Sequence, residues 1–260
     1  MKVYVMVDME GISGICLKSQ VNKGNDQYEK GRQYMTWDVN ACVEGCFQGG
    51  AEAVLVMDCH DTTTNLLWEE LDPRAEYLMG ERRYGLMPFL DEFDALMMLG
   101  YHAMAATPEA VLEHTANSTQ WQHCWINGEK AGEIAINTYI AGEHGLPVIM
   151  VCGDDKACAE ALRLHPAIHT AAVKRGVDLQ TARFLSRERS HELIRQTAKE
   201  SVSASGPILP LKASSPCQVR IEYTSRTPIP LFRPGVRQVA DRTVEACGES
   251  FEETLYSLIY

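Results

Sequence analysis

Four short apolar runs, at residues 3–7, 53–57, 95–99 and 147–152, leave this chain few ways to fold. Each is rich in Val, Ile, Leu or Met and has no polar alternation, the pattern of strands covered on both faces of a parallel sheet. Helical sequence lies between them. Over residues 34–47, Met35, Val39, Cys42, Val43, Cys46 and Phe47 recur at threes and fours and form one apolar stripe, and Gly49-Gly50 supplies a stop. A second helix is expected over 133–141. A third follows Asp154-Asp155, either of which is a good N-cap, and continues through Ala157, Cys158, Ala161 and Leu162. Strands alternating with helices of this length imply right-handed crossovers and an α/β fold, a mainly parallel sheet flanked by helices. Residues 201–216, with Ser, Gly and three Pro, read as a linker. Beyond it, 218–223 alternates like a strand and 251–259 like a closing amphipathic helix. The expected division is therefore a core over 1–206 and a smaller C-terminal α/β subdomain over 207–260.

Charge narrows the possible partners. The chain has 24 basic and 35 acidic residues, a net charge of −11, the wrong sign for a protein whose main task is to hold phosphates. No apolar run approaches the roughly 20 residues of a bilayer span, so no membrane partner is expected. No signal-peptide pattern precedes the first strand. The nine cysteines lie in apolar stretches without a C-x-x-C pair. They read as reduced, mostly buried side chains of a cytoplasmic protein, with Cys42 and Cys46 turned inward.

Parallel α/β sheets gather ligands at the carboxyl ends of their strands, and three of the apolar runs end in metal-capable residues. The first runs into Asp8-Met9-Glu10, the second into Asp58-Cys59-His60-Asp61 and the third into Gly100-Tyr101-His102. A lone imidazole at a strand end is ordinarily a hydrogen-bonded polar residue, and a lone acid there is often an N-cap. Their joint occurrence at three ends of one sheet is what points to zinc or a neighbouring divalent ion, which accepts mixed oxygen and nitrogen ligands. Cys59 reads as packing, with an extra soft metal ligand as the alternative, and Asp154 and Asp155 as caps, with partners of a substrate ammonium as the alternative. His123, His144, His165, His169 and His191 read as structural or surface residues. Gly11-x-x-Gly14 lacks the full dinucleotide or P-loop pattern.

These segments also carry a resemblance. Val7-Asp8-Met9-Glu10-Gly11-Ile12-Ser13-Gly14 resembles the opening motif of the D-aminopeptidase family of dinuclear zinc peptidases. Further likenesses follow in order: Tyr28-Glu29-Lys30-Gly31-Arg32, Asp58-Cys59-His60, Gly100-Tyr101-His102-Ala103 with Thr107-Pro108, Ile126-Asn127-Gly128, Gly132-Glu133, Asn137, the stretch 148–155, Thr170-Ala171-Ala172-Val173-Lys174 and Ile221-Glu222. They cover nearly the whole chain, and it is the combination that is specific. The resemblance implies two zinc ions per subunit, replaceable by Mn2+ or Co2+, held by Asp8, Glu10, His60, His102 and Glu133, with Asp8 as the bridge. It implies a catalytic His114, short peptide substrates with D-residues at the amino end, and a ring-like homo-oligomer, a decamer. Glu133 and His114 would otherwise read as a first-turn acid and a loop residue. A dinuclear metal amidase or esterase acting on a non-peptide small molecule is the alternative reading, since the same metal pair would serve it. A binding protein with a vestigial site is a third.

Overall fold

The computed structural model describes all residues except 82–84, 205, 207, 225–230, 232 and 260. The chain runs β1 (Lys2–Val7), α1 (Lys18–Val21), α2 (Tyr28–Gln48), β2 (Ala53–Asp58), β3 (Glu76–Leu78), β4 (Ala95–Tyr101), β5 (Trp121–Ile126) and β6 (Glu129–Ala131). It continues with α3 (Glu133–Glu143), β7 (Val148–Asp154), α4 (Asp155–Leu164), β8 (His169–Asp178), β9 (Thr181–Phe184) and α5 (Arg187–Ser203). The last elements are β10 (Cys217–Tyr223), β11 (Arg237–Ala240), β12 (Thr243–Gly248) and α6 (Phe251–Ile259).

The main sheet has the order β3-β2-β1-β4-β7-β8-β9. All its neighbours are parallel except the β8–β9 hairpin. The four apolar runs are β2, β1, β4 and β7, contiguous at the centre of the sheet, as unbroken apolar sequence requires. Side-chain alternation then divides the core. Val3, Val5 and Val7 face Met35, Val39 and Cys42 of α2 and Ile194 and Ala198 of α5. Tyr4 and Met6 face Ile134 and Ile140 of α3, Ala157 and Ala161 of α4, and Ile221 of β10. The strands are held by burial on both sides, each large apolar side chain contributing about 1.5–3 kcal/mol.

The helices confirm the stripe and extend it. α2 begins six residues before the predicted start, and Gly49 caps it, with Gly50 in the left-handed region at φ 94°. Cys42 and Cys46 are buried free thiols on its inner face. α4 is capped by Asp154, as read; its Leu162, expected on the apolar face, is exposed. α5 was not anticipated. It covers the α2 side of the sheet and takes in residues 201–203, the start of the stretch read as a linker.

A second, antiparallel sheet has the order β11-β12-β10-β5-β6. It contains the strand expected near 218–223, and α6, the expected closing helix, packs on β12, β10 and α3. Its strands come from both sides of residue 207: β5 and β6 precede α3 in the chain, and β5 pairs with β10 on one edge and β6 on the other. Among the described residues no helix is long and apolar enough to cross a membrane.

Candidate metal centre

Register brings the three strand ends together. Val7 of β1 lies opposite Asp58 of β2 and Leu99 of β4, so the segments that follow emerge side by side at one edge. The first turns sharply over the third. Gly11 N–H donates to the Gly100 carbonyl at 2.7 Å, and a Cβ on Gly11 would stand 2.0 Å from the Tyr101 carbonyl oxygen. Only glycine allows that approach. Glu133 is the first residue of α3, and His114 lies on the loop between β4 and β5. Four non-glycine residues of that loop, Ala106, Glu109, Leu112 and Ala116, have φ between 52° and 66°, a strain that surrounding contacts must hold.

All six residues singled out from the sequence converge. His60 Nδ1 is 3.0 Å from Asp8 Oδ1 and 3.1 Å from Glu10 Oε2. His102 Nε2 is 3.4 Å from Asp8 Oδ2 and 3.2 Å from Glu133 Oε1. His114 stacks on His102 with ring centroids 3.9 Å apart, its Nε2 3.6 Å from Glu133 Oε1. Two groups of ligand atoms result, Asp8–Glu10–His60 and His102–His114–Glu133. The two oxygens of Asp8 reach one group each. Asp8, Glu10, His60 and His102 are buried. Cys59 takes no part in either group; its thiol donates to the Val7 carbonyl at 3.0 Å.

Each imidazole is oriented by its other nitrogen. His60 Nε2 faces the Val21 carbonyl at 2.9 Å, His102 Nδ1 the Ala103 carbonyl at 3.0 Å and His114 Nδ1 the Leu112 carbonyl at 3.0 Å. A carbonyl only accepts, so these nitrogens carry the hydrogens. In the neutral rings, the lone pairs of His60 Nδ1, His102 Nε2 and His114 Nε2 then point at carboxylates. This is the outer-shell arrangement that fixes a ligating tautomer. Glu10 Oε2 and His102 Nε2 are buried without a hydrogen bond, although lone-pair atoms crowd both. A divalent cation on each side of Asp8 fits this donor set.

The electrostatics agree. Burial disfavours charge on His60, yet Glu10 and Asp8 outweigh it and hold the imidazole well above its ordinary range. Burial is outweighed at His102 in the same way, by Glu133 and Asp8. Asp8 is held well below the usual carboxylate range, against burial, by His102 and His60. Glu133 is lowered against burial chiefly by the charge of His102. The cluster draws positive charge to itself, as protons or as metal.

Several supporting residues were not singled out as such from the sequence. Asp58 accepts the Asn65 and Leu66 N–H groups at 2.5 and 3.3 Å and the Asn65 amide at 2.9 Å. Asn65 Nδ2 also donates to the His60 carbonyl at 2.7 Å. Together they fold the loop that presents His60. Asp154, besides capping α4, accepts Val111 N–H at 2.8 Å and so ties down the loop of His114. Lys174 of β8 is buried and donates to the carbonyls of Glu10, Ile12 and Ile15 at 2.5, 2.8 and 2.6 Å. A lysine closing an apolar run is a visible signal of a buried charge, though not of its partners.

Carboxylates and imidazoles converging at the carboxyl edge of a parallel α/β sheet define a metal-dependent hydrolase. The family model described as D-aminopeptidase matches residues 1–259, and the chain belongs to that family. It is 36% identical over 227 residues to a D-aminopeptidase of Bacillus subtilis (strain 168), covering 86% of this chain and 82% of the relative. Its fold is similar to the solved structure of the Zn-dependent D-aminopeptidase DppA from Bacillus subtilis, described as a self-compartmentalizing protease. The TM-score is 0.94 with 32% identity, covering 100% of this chain and 96% of that one.

Proposed function

We propose that this protein is a dinuclear zinc aminopeptidase that hydrolyses short peptides bearing a D-residue at the amino end. The observation that carries the reading is the pair of ligand groups joined through the two oxygens of Asp8. Asp8, Glu10 and His60 would hold one ion and Asp8, His102 and Glu133 the other, with Mn2+ or Co2+ as substitutes. Bound there, the ions supply an acidified water and a Lewis acid for the scissile carbonyl. His114 stands beside this pair with Nδ1 committed to the Leu112 carbonyl. Its Nε2 can carry a proton to the leaving amine or hydrogen-bond the developing oxyanion. The carbonyls of Val21, Ala103 and Leu112 keep the three imidazoles in one orientation through the reaction.

One observation favours a second reading of a single residue. His114 Nε2 lies close enough to His102 and Glu133 to count among the ligand atoms, and it would then be a sixth ligand, not a proton donor. For assembly we propose a homo-oligomer, a decamer, located in the cytoplasm. Light scattering that gave a monomer of 29.0 kDa would remove the assembly. The function is tested by matched D- and L-aminoacyl peptides, with zinc content measured on the same samples. Two zinc ions per chain and turnover confined to the D-series are expected. Two ions with cleavage of amides or esters alone would return the reading to a non-peptide hydrolase.

A further inference from the structure

We infer that Lys174 is a positioning residue for the metal centre: its ammonium cages the turn after β1 and sets the affinity of the ion held by Asp8, Glu10 and His60. The inference rests on the dinuclear reading above.

Asp8 and Glu10 lie on one turn, and the remaining proposed ligands lie on other segments. That turn has little regular structure to hold it. Its bonds from backbone to backbone are few: Asp8 N–H to the Leu99 carbonyl at 2.9 Å, Gly11 N–H to the Gly100 carbonyl at 2.7 Å, and two short-range bonds from Ile12 and Ile15 at 3.2 Å. Met9 N–H donates to Asp8 Oδ1 at 2.8 Å, and Ser13 N–H and hydroxyl donate to Asp38 at 2.7 and 2.6 Å. The carbonyls of Glu10, Ile12 and Ile15 all turn inward, and Lys174 Nζ meets the three at 2.5, 2.8 and 2.6 Å. An ammonium has three hydrogens and no acceptor, so this contact uses its full donor set. Burying a lysine is costly unless it is fully bonded. Lys174 is 2% exposed and reaches the turn from β8, with β4 and β7 lying between it and β1 in the sheet.

The Glu10 carbonyl is held on the same residue whose carboxylate faces His60 at 3.1 Å. Fixing that peptide group fixes the direction in which the Glu10 side chain leaves the backbone. His102 and Glu133 sit on β4's end and on α3, outside the cage. The effect of Lys174 should therefore be unequal between the two ions. Outer-shell groups of this kind typically change metal affinity about 10–100-fold.

Metal content and affinity are measured on the wild type, Lys174→Met, Lys174→Gln and a remote destabilising control, Val219→Ala, by chelator competition and by the visible spectrum of bound Co2+. The expected result is two ions in the wild type and in the control, with one ion weakened about 10–100-fold in Lys174→Met. Lys174→Gln, which keeps two donors, should fall between. A wild type that binds fewer than two ions overturns the dinuclear reading itself. A folded Lys174→Met or Lys174→Gln that keeps both ions at wild-type affinity overturns the role of Lys174. So does equal weakening of both ions, or the same loss in Val219→Ala. If neither lysine variant folds, hydrogen exchange on the metal-free wild type decides. Protection of the amides of Gly11, Ile12 and Ile15 that matches the central strands supports a turn held without metal. Protection that arises only on zinc binding overturns it.

Discussion

At the level of single residues, variants of His114 and Asp8 test separately the two roles proposed for neighbouring side chains. If His114 acts on the substrate alone, His114→Ala keeps both ions and loses about 10²–10⁴-fold in turnover, equivalent to roughly 3–5 kcal/mol of barrier. KM should change far less, because the interaction is made mainly in the transition state. Loss of one ion in this variant would make His114 a ligand. Asp8→Ala should be the most damaging change in the cluster, since its two oxygens face His60 on one side and His102 on the other. Metal analysis should find both ions depleted, whereas His60→Ala or His102→Ala should chiefly empty one position.

At the level of elements, the loops decide the site, and they are tied by side-chain hydrogen bonds, some local and some from distant strands. Asn65→Ala would leave Asp58 Oδ1 and the His60 carbonyl without the amide that now bonds both. Each acceptor keeps another donor, His60 N–H at 3.3 Å for Asp58 Oδ1 and Thr63 N–H at 2.8 Å for the His60 carbonyl, so the cost is that of the lost hydrogen bonds, about 0.5–1.5 kcal/mol each and somewhat more to the carboxylate. A lower urea midpoint is expected, together with weaker zinc binding, because the same loop presents His60. An unchanged zinc affinity would mean that the loop holds its shape without Asn65. This division explains what the sequence could disclose. β1, β2, β4 and β7 are legible because a strand covered on both faces must be apolar throughout, and their ends then point to Asp8, Glu10, His60 and His102. Glu133 and His114 were found through resemblance alone, since neither a first-turn acid nor a loop histidine is distinctive. Lys174 and the second bond of Asp154 stayed hidden because their partners lie far along the chain; Asn65 bonds Asp58 and His60 nearby, but in a loop whose sequence has no periodic pattern to mark it. β8 alternates buried and exposed residues toward its end, and β5 mixes Gln and His with Trp, so neither has the unbroken apolar signature.

For the molecule as a whole, charge ties the C-terminal helix to the body. His144, at the end of α3, meets Asp91 at 2.7 Å and Glu252 of α6 at 2.8 Å. Burial pulls its pKa down, but the hydrogen bonds with Glu252 and Asp91 outweigh that and raise it. A raised value in the folded state means stability that is fully present below the ordinary imidazole pKa, about 6.5, and lost as pH climbs through the raised value. His144→Ala should therefore lower the melting temperature at pH 6 and leave it nearly unchanged at pH 9. An equal drop at both would assign the effect to packing, not charge. Partial exposure and salt keep the size of this term modest.

The pairing of β5 with β10 has a consequence for how the protein is made. His114 and Glu133 flank β5 and β6, and one edge of β5 is covered only by a strand that starts at Cys217. During synthesis every residue of the proposed metal centre is made well before that partner strand. Until then β5 presents an open edge, the kind of surface through which nascent chains associate wrongly. A chain ending at residue 206 contains all six site residues, yet it should bind zinc weakly and aggregate. Residues 207–260 supplied as a separate polypeptide during refolding should restore both solubility and metal content. A soluble 1–206 fragment with full zinc affinity would show that the centre matures without waiting for the end of the chain.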